Sequence, residues 1–345
     1  MGELEKNKKN AKLLFAQPID KYFIWQCQLY IESCIEAGFD QSQIHVLLYK
    51  PLDRIPDAGW MKLNELYPEI NIFIYEDKGI DHLLPLYIPI LRPHILKQHF
   101  EKYPELEKET IIYTDCDILW LNSINIDHLI GDDINYMSDA SSYMNYNYFC
   151  YKAREVLPEK KEEFDKRDII QELCDIVGVH KSLLIENNNN TGGVQYILKN
   201  IDYKFWEKVE KDVISIRKHL LQVNRDFFAS ENAGYQSWCA DLFAVQWNLW
   251  ALGRSTKTVR ELDFAWSTDP IEKINTYPIL HNAGISGDFQ NGFPALYKGK
   301  YVSGSNPIND EHLYTIIDSP ESRKYCTHYY TRKLLELKQK YKPLF

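Results

Sequence analysis

Two aspartates one residue apart, Asp115 and Asp117 in "YTDCD", close the apolar run that begins "ETIIY". Two such carboxylates covered from water raise each other's pKa and lose hydration, so an uncompensated pair is costly and a positive partner is expected. A divalent cation is one such partner, and an octahedral ion that keeps part of its water can also hold a diphosphate. The plainer alternative is that Asp115 caps a strand or accepts turn hydrogen bonds while Asp117 faces solvent, since short Asp-x-Asp matches are common. A third group, His281, follows the apolar "YPIL". An imidazole added to two carboxylates shifts a site from plain magnesium towards manganese or a similar borderline ion. The other reading of such a histidine is a satisfied core or turn residue.

The pair needs a scaffold, and the first third of the chain supplies one. Segments 12–17, 44–49, 71–76 and 110–115 are strand-like in length and content, with helical candidates at 20–37, 59–67 and 87–102 between them. That alternation predicts an α/β fold: a mostly parallel, Rossmann-like sheet flanked by helices on both faces. Ligands of such sheets bind beyond the carboxyl ends of the strands, and the aspartates close the fourth one. Further on, 134–139 reads as a strand and 152–184 as charged and helical. Segment 186–199, "ENNNNTGGVQYILK", is a turn-rich loop running into a strand or helix start, with Gly192 and Gly193 permitting a close backbone approach. Segment 232–253 carries a helix-like apolar stripe with Gly253 as its stop. No repeat or linker interrupts 1–308, which reads as one domain, and 309–345 reads as a C-terminal helical extension.

Composition excludes some partners. With 40 basic against 49 acidic residues the net charge is -9, which gives no general pull towards phosphate backbones or anionic lipid. The seven cysteines form no CxxC and are odd in number, so at least one is unpaired, which favours a reducing compartment. The opening "MGELEKNKKN" lacks the apolar core of a secretory signal, and no apolar run approaches the roughly 20 residues of a membrane span. A soluble, cytoplasmic protein with no membrane span is expected.

Haloacid-dehalogenase-type phosphatases also set Asp-x-Asp after an apolar strand, but on their first strand and with Thr or Val two residues later. Here three strand-helix units come first and Leu119 takes that place. The order of motifs instead resembles nucleotide-sugar glycosyltransferases of the GT-A fold, in particular those of tailed phages and large viruses, from near Leu13 to about Lys298. The resemblance implies a donor-binding half at about 11–122 and a sugar and acceptor half at about 123–308. "YTDCD" is similar to the family's Asp-x-Asp motif, in which Asp115 meets the donor ribose or the metal and Asp117 ligates the metal. "YIPILRPHILKQHF" resembles the helix before that motif, where Arg92 would approach the donor. "NNTGG" resembles the loop that cradles the transferred sugar, implicating Asn190, Thr191 and Gly192. Ala16 and Gln17, ending the first strand, fall among the implied donor contacts. "GYQSW" matches a sugar or acceptor segment only at Gln236, because Tyr235 replaces the family's Asp. "LHNAG" is similar to the late His-x-x-Gly motif, which makes His281 the third protein ligand of Mn2+ or Mg2+.

One departure concerns the leaving group. Many relatives carry a lysine three residues after that glycine, where this chain has Gly287. Lys298 is the nearest later candidate, the alternative being a solvated surface lysine. Transfer passes through an oxocarbenium-like state with charge building on the leaving diphosphate, which a metal and cationic side chains stabilise. An inverting enzyme also needs a carboxylate base, for which Asp241 and Asp139 are the candidates, against an exposed helix face and a turn or cap. Trp238, Phe243, Trp247 and Trp250 could form an aromatic platform or a helix core, and Tyr143, Tyr146 and Tyr148 crowd a loop as the preferred contact surface.

The expected reaction is transfer of a sugar from a nucleotide-sugar co-substrate, a UDP-sugar by preference, to a hydroxyl acceptor on a glycan, protein or small molecule. Hydroxymethylated bases of viral DNA are an alternative acceptor, for which 217–225 and 332–342 are the available basic segments. Another divalent-metal nucleotide enzyme, a nucleotidyltransferase or phosphohydrolase, and a non-catalytic carbohydrate- or nucleic-acid-binding protein are the other classes.

Overall fold

The computed structural model describes residues 11–121 and 125–344. The polar opening segment, the three residues where the two expected halves meet, and the final Phe345 lie outside the described residues. The chain divides into two compact units, one holding residues up to Asp77, Ile112–Ile130 and Arg260 onward, the other Lys78–Ile111 and Gly131–Val259.

The fold is mixed α/β, with a mostly parallel seven-stranded sheet flanked by helices. In the first unit β1 (Ala11–Pro18), β2 (Ile44–Lys50) and β3 (Asn71–Glu76) pair in parallel in the order β3-β2-β1. Their sequences explain their places: β1 and β2 are almost unbroken apolar runs and are buried along their length, as inner parallel strands must be. Strand β3, at the edge, is half exposed. The next strand, β4 (Thr110–Tyr113), is shorter than expected, and β5 (Ile118–Trp120) begins after only four intervening residues. Asp115 and Asp117 therefore sit in a tight connection between two strands, a correction to the single strand expected over 110–115.

A second, three-stranded sheet in the same unit has the order β5-β10-β9, with β9 at Phe264–Trp266 and β10 at Ile279–His281. The helix Ile24–Glu36 packs on β5, and the C-terminal helix Cys326–Lys340 adds Tyr330, Leu334 and Leu337 to a core shared with Trp25, Leu29, Leu119 and Leu280. The extension is thus built into this unit's interior.

The second unit holds β6 (Asn135–Asp139), β7 (Gly192–Leu198) and β8 (Thr256–Thr258), in the order β7-β6-β8. Strand β6 runs antiparallel to β7 and parallel to β8. Segment 186–199 resolves into a turn followed by the strand β7. The long helix Tyr203–Phe227, capped by Asp202 accepting from the Phe205 amide at 2.8 Å, packs between the helices Leu91–Lys102 and Ala240–Ala251. Residues 152–184 are helical, as a series of short helices. The stripe over 232–253 becomes α-helical only at Ala240, after a 3-10 turn at Ser237–Cys239, and its Phe243, Trp247 and Trp250 are buried, so of the two readings of these aromatics the helix core holds for three.

Candidate metal centre

The β5-β10 ladder brings the distant parts of the centre together. His281 pairs with Ile118 across the two strands, and the Asn282 amide donates to the Asp117 carbonyl at 2.9 Å. From the other side, the Thr114 amide bonds Leu14 O on β1 at 3.2 Å, and its hydroxyl donates to the buried Tyr30 at 2.6 Å. The connection carrying both aspartates is thereby held at each end by backbone bonds.

His281 Nε2 lies 3.3 Å from Asp117 Oδ1 and 3.7 Å from Asp115 Oδ2. One ligand atom from each of the three residues falls within 4.8 Å of the others. The imidazole stacks on Trp266 at 5.4 Å and meets Phe264 edge-on at 5.0 Å, which fixes its plane. Its buried Nδ1 has no hydrogen-bond partner among the described residues, and Nε2 is the ring nitrogen that faces both carboxylates. Two carboxylates and one imidazole nitrogen, close together and largely covered, are a donor set suited to Mn2+ or Mg2+.

Lys298, from a short 3-10 turn, forms an ion pair with Asp117 Oδ2. Burial alone would raise the Asp117 pKa, but Lys298 and then His281 outweigh it and hold the carboxyl well below the usual carboxylate range. The positive partner that the sequence demands is therefore supplied in part by the chain, and Lys298 is not a solvated surface lysine. Ala16 and Gln17 are buried near the end of β1 in the same unit.

The remaining candidates lie in the second unit. Arg92 Nη1 donates to Asp241 Oδ2 at 2.9 Å, with the Asp241 side chain only 7% exposed, so Asp241 does not lie on an exposed helix face. The Tyr87 hydroxyl stands 2.7 Å from the Trp238 carbonyl and 3.1 Å from Asp241 Oδ1, and accepts the Asp241 amide at 3.2 Å. The Asn190 amide group is engaged within the chain, donating to Thr256 O at 2.7 Å and accepting from the Thr258 amide at 2.8 Å. Thr191 Oγ1 donates to Asn187 O at 3.2 Å. A Cβ at Gly192 would lie 2.2 Å from Met137 Cγ and 2.5 Å from Ser138 O, so this glycine serves close strand packing. Asp139 pairs in register with Gly192, is exposed, and accepts the Ser141 amide at 2.8 Å, a turn role. Gln236 is exposed, and its amide donates to Tyr148 Oη at 3.0 Å.

Two supporting residues have no sequence signal. Gln246 clamps the "NNTGG" loop, donating to Asn190 O at 2.9 Å and accepting the Gly192 amide at 3.3 Å. Tyr87 gathers Trp238 and Asp241 from more than 150 positions away. Long-range polar contacts of this kind leave no periodicity to read.

No family model and no curated protein matches the chain. Among solved structures, WbbM, a bifunctional glycosyltransferase, is similar with 10% identity and a TM-score of 0.43 over 91% of this chain, which spans only 51% of that protein. A galactosyltransferase, LgtC, in complex with donor and acceptor sugar analogues shows 13% identity and a TM-score of 0.37, covering 90% of this chain and 98% of that one. Mouse xyloside xylosyltransferase 1 shows 9% identity and a TM-score of 0.39, covering 79% of this chain and 98% of that one. Scores and identities this low establish neither family nor activity, and the functional reading rests on the residues of the site.

Proposed function

We propose that this chain is a metal-dependent glycosyltransferase of the GT-A kind, moving a sugar from a nucleotide-sugar donor, a UDP-sugar by preference, to a hydroxyl-bearing acceptor. The observation that carries the reading is the meeting of Asp115, Asp117 and His281 beside Lys298, just beyond the end of a strand in a mostly parallel sheet. A divalent ion there, Mn2+ or Mg2+, would neutralise the donor diphosphate and act as a Lewis acid on the leaving group.

The chain's own residues would complete the chemistry. Asp115, Asp117 and His281 would hold the cation, and Lys298, beside them, would supply positive charge to the leaving phosphate oxygens. Arg92, a guanidinium cation, is the further donor contact that the family resemblance implies. Asp241, whose carboxylate Arg92 and Tyr87 hold, would be the carboxylate that meets a substrate hydroxyl. The Asn190–Gly192 loop is held firm by Gln246, which would keep the sugar-facing backbone in one shape.

Thermal unfolding with a panel of UDP-, GDP- and CMP-sugars, with and without manganese, tests the proposal, followed by assay for donor hydrolysis. One donor class should stabilise the protein only with metal, by about 2.7 kcal/mol at a hundredfold excess over Kd, and should be slowly hydrolysed to free sugar and nucleotide, a nucleoside diphosphate for a UDP- or GDP-sugar. Release of nucleoside monophosphate with sugar 1-phosphate would point to a phosphohydrolase instead, and no response to any donor would overturn the proposal.

A further inference from the structure

Ser267 follows β9 and Asn282 follows β10, so the two stand one step beyond the last pair of the parallel ladder, Trp266 with His281. Both are buried, Ser267 completely, and polar groups so placed need partners within the chain. Ser267 uses every group it has. Its amide donates to the His281 carbonyl at 3.2 Å, its hydroxyl donates to Asn282 Oδ1 at 2.8 Å, and its carbonyl accepts the Thr327 amide at 2.8 Å. Asn282 passes the constraint on, because its own amide donates to the Asp117 carbonyl at 2.9 Å. One serine is therefore bonded to the main chain of His281 and, through Asn282, to that of Asp117.

The Asn282 side chain has little else to hold it. Its Nδ2 is buried with no hydrogen-bond partner among the described residues, so the Ser267 hydroxyl is what orients the amide. Without that hydroxyl both polar atoms of the amide would be buried and unpaired, a cost relieved by shifting the backbone that carries them. That backbone is the one bonded to Asp117. Ser267 is anchored in turn by the C-terminal helix Cys326–Lys340, whose Thr327 also accepts the Leu296 amide on Oγ1 at 3.0 Å, two residues before Lys298. A metal site tolerates little displacement of its donors, so groups that orient the ligands govern affinity nearly as the ligands do. A serine that only closed the end of the sheet would act on stability alone.

We propose that Ser267 is a positioning residue of the metal centre, acting through Asn282 to hold Asp117 and His281 in the arrangement that a divalent cation requires; this rests on the cation-binding role given to those residues above, not on the reaction. Manganese titration of the full chain, followed by electron paramagnetic resonance, compares the wild type with Ser267→Ala, Asn282→Ala, the double variant and Ser267→Thr. Each alanine variant should bind the ion about tenfold more weakly. The double variant should lose no more than either single one, as residues acting in one line do, and Ser267→Thr, which keeps the hydroxyl, should retain most of the affinity. The spectrum of the bound ion should also differ between Ser267→Ala and wild type, a change in ligand symmetry that lost stability does not produce. Unfolding midpoints of the metal-free proteins verify folding, and Asn282→Ala supplies the comparison should Ser267→Ala not fold.

Unchanged manganese affinity and spectrum in the folded alanine variants, or losses that add in the double variant, would overturn the proposal. Weaker binding in these variants of a protein whose wild type binds manganese but responds to no nucleotide-sugar would leave the role of Ser267 standing and overturn the transferase reading. A wild type that binds no manganese would overturn both.

Discussion

Lys298 occupies one oxygen of Asp117 across 181 positions of sequence, and its ammonium and His281 together hold that carboxylate ionised in a covered site. Replacing Lys298 with Ala should leave metal binding in place but lower donor turnover by about a hundredfold, the usual scale for losing one preorganised partner of a developing oxyanion. Steady-state kinetics with the matched donor would reveal it, and an unchanged kcat would return Lys298 to a structural counter-ion. The carboxylate pair was legible from residue type and placement, because two covered carboxylates cost free energy without a partner, whereas His281 was legible as a ligand chiefly through the resemblance of "LHNAG" to a His-x-x-Gly motif. The choice of Lys298 was not, since nothing in "LYKGK" marks which lysine folds back onto the site. Asp241 was legible as a carboxylate worth testing, but its pairing with Arg92 depends on helix packing that no local pattern encodes.

Among the elements, β7 is tightly packed at its first residue. Gly192→Ala places a methyl group against Met137 and the Ser138 carbonyl, and should destabilise the fold by about 1–3 kcal/mol, read as a lower denaturation midpoint. Trp247, buried among Phe149 and Phe243, should cost about 3–5 kcal/mol on replacement by Ala, whereas exposed Trp238 should cost far less. Equal losses at the two tryptophans would contradict the assignment of core and surface. Strands β1, β2 and β3 were legible because inner and edge strands differ in apolar continuity. The late start of the helix at Ala240 was not, because the approach to it is set by the Gln236 amide bonding Tyr148 and the Asp241 amide bonding Tyr87.

For the whole molecule, acid stability turns partly on His45. Burial, with Lys12 adding to it, lowers its pKa from 6.5 to about 4. Between those values the unfolded chain takes up a proton that the folded protein refuses, so stability is full above pH 6.5 and falls as the pH drops towards 4, by up to about 3 kcal/mol. His45→Gln should flatten that fall in urea titrations across this window, and an unaltered pH dependence would remove His45 as its source. At this scale the α/β class was legible from the strand-helix alternation, but the division into two units was not. Each unit is assembled from separated stretches of chain, so no linker composition marks a border. The basic tail 332–342 also reads differently in place: Lys333, Lys338 and Lys340 are ion-paired to Glu36, Glu311 and Glu32. The account stands or falls on a cation at Asp115, Asp117 and His281. Manganese titration followed by electron paramagnetic resonance, in the presence of UDP, addresses it directly. Wild-type protein should bind one ion saturably, and Asp117→Asn and His281→Ala, each with an unaltered circular dichroism spectrum, should lose that site; undiminished manganese binding in both folded variants would contradict the account.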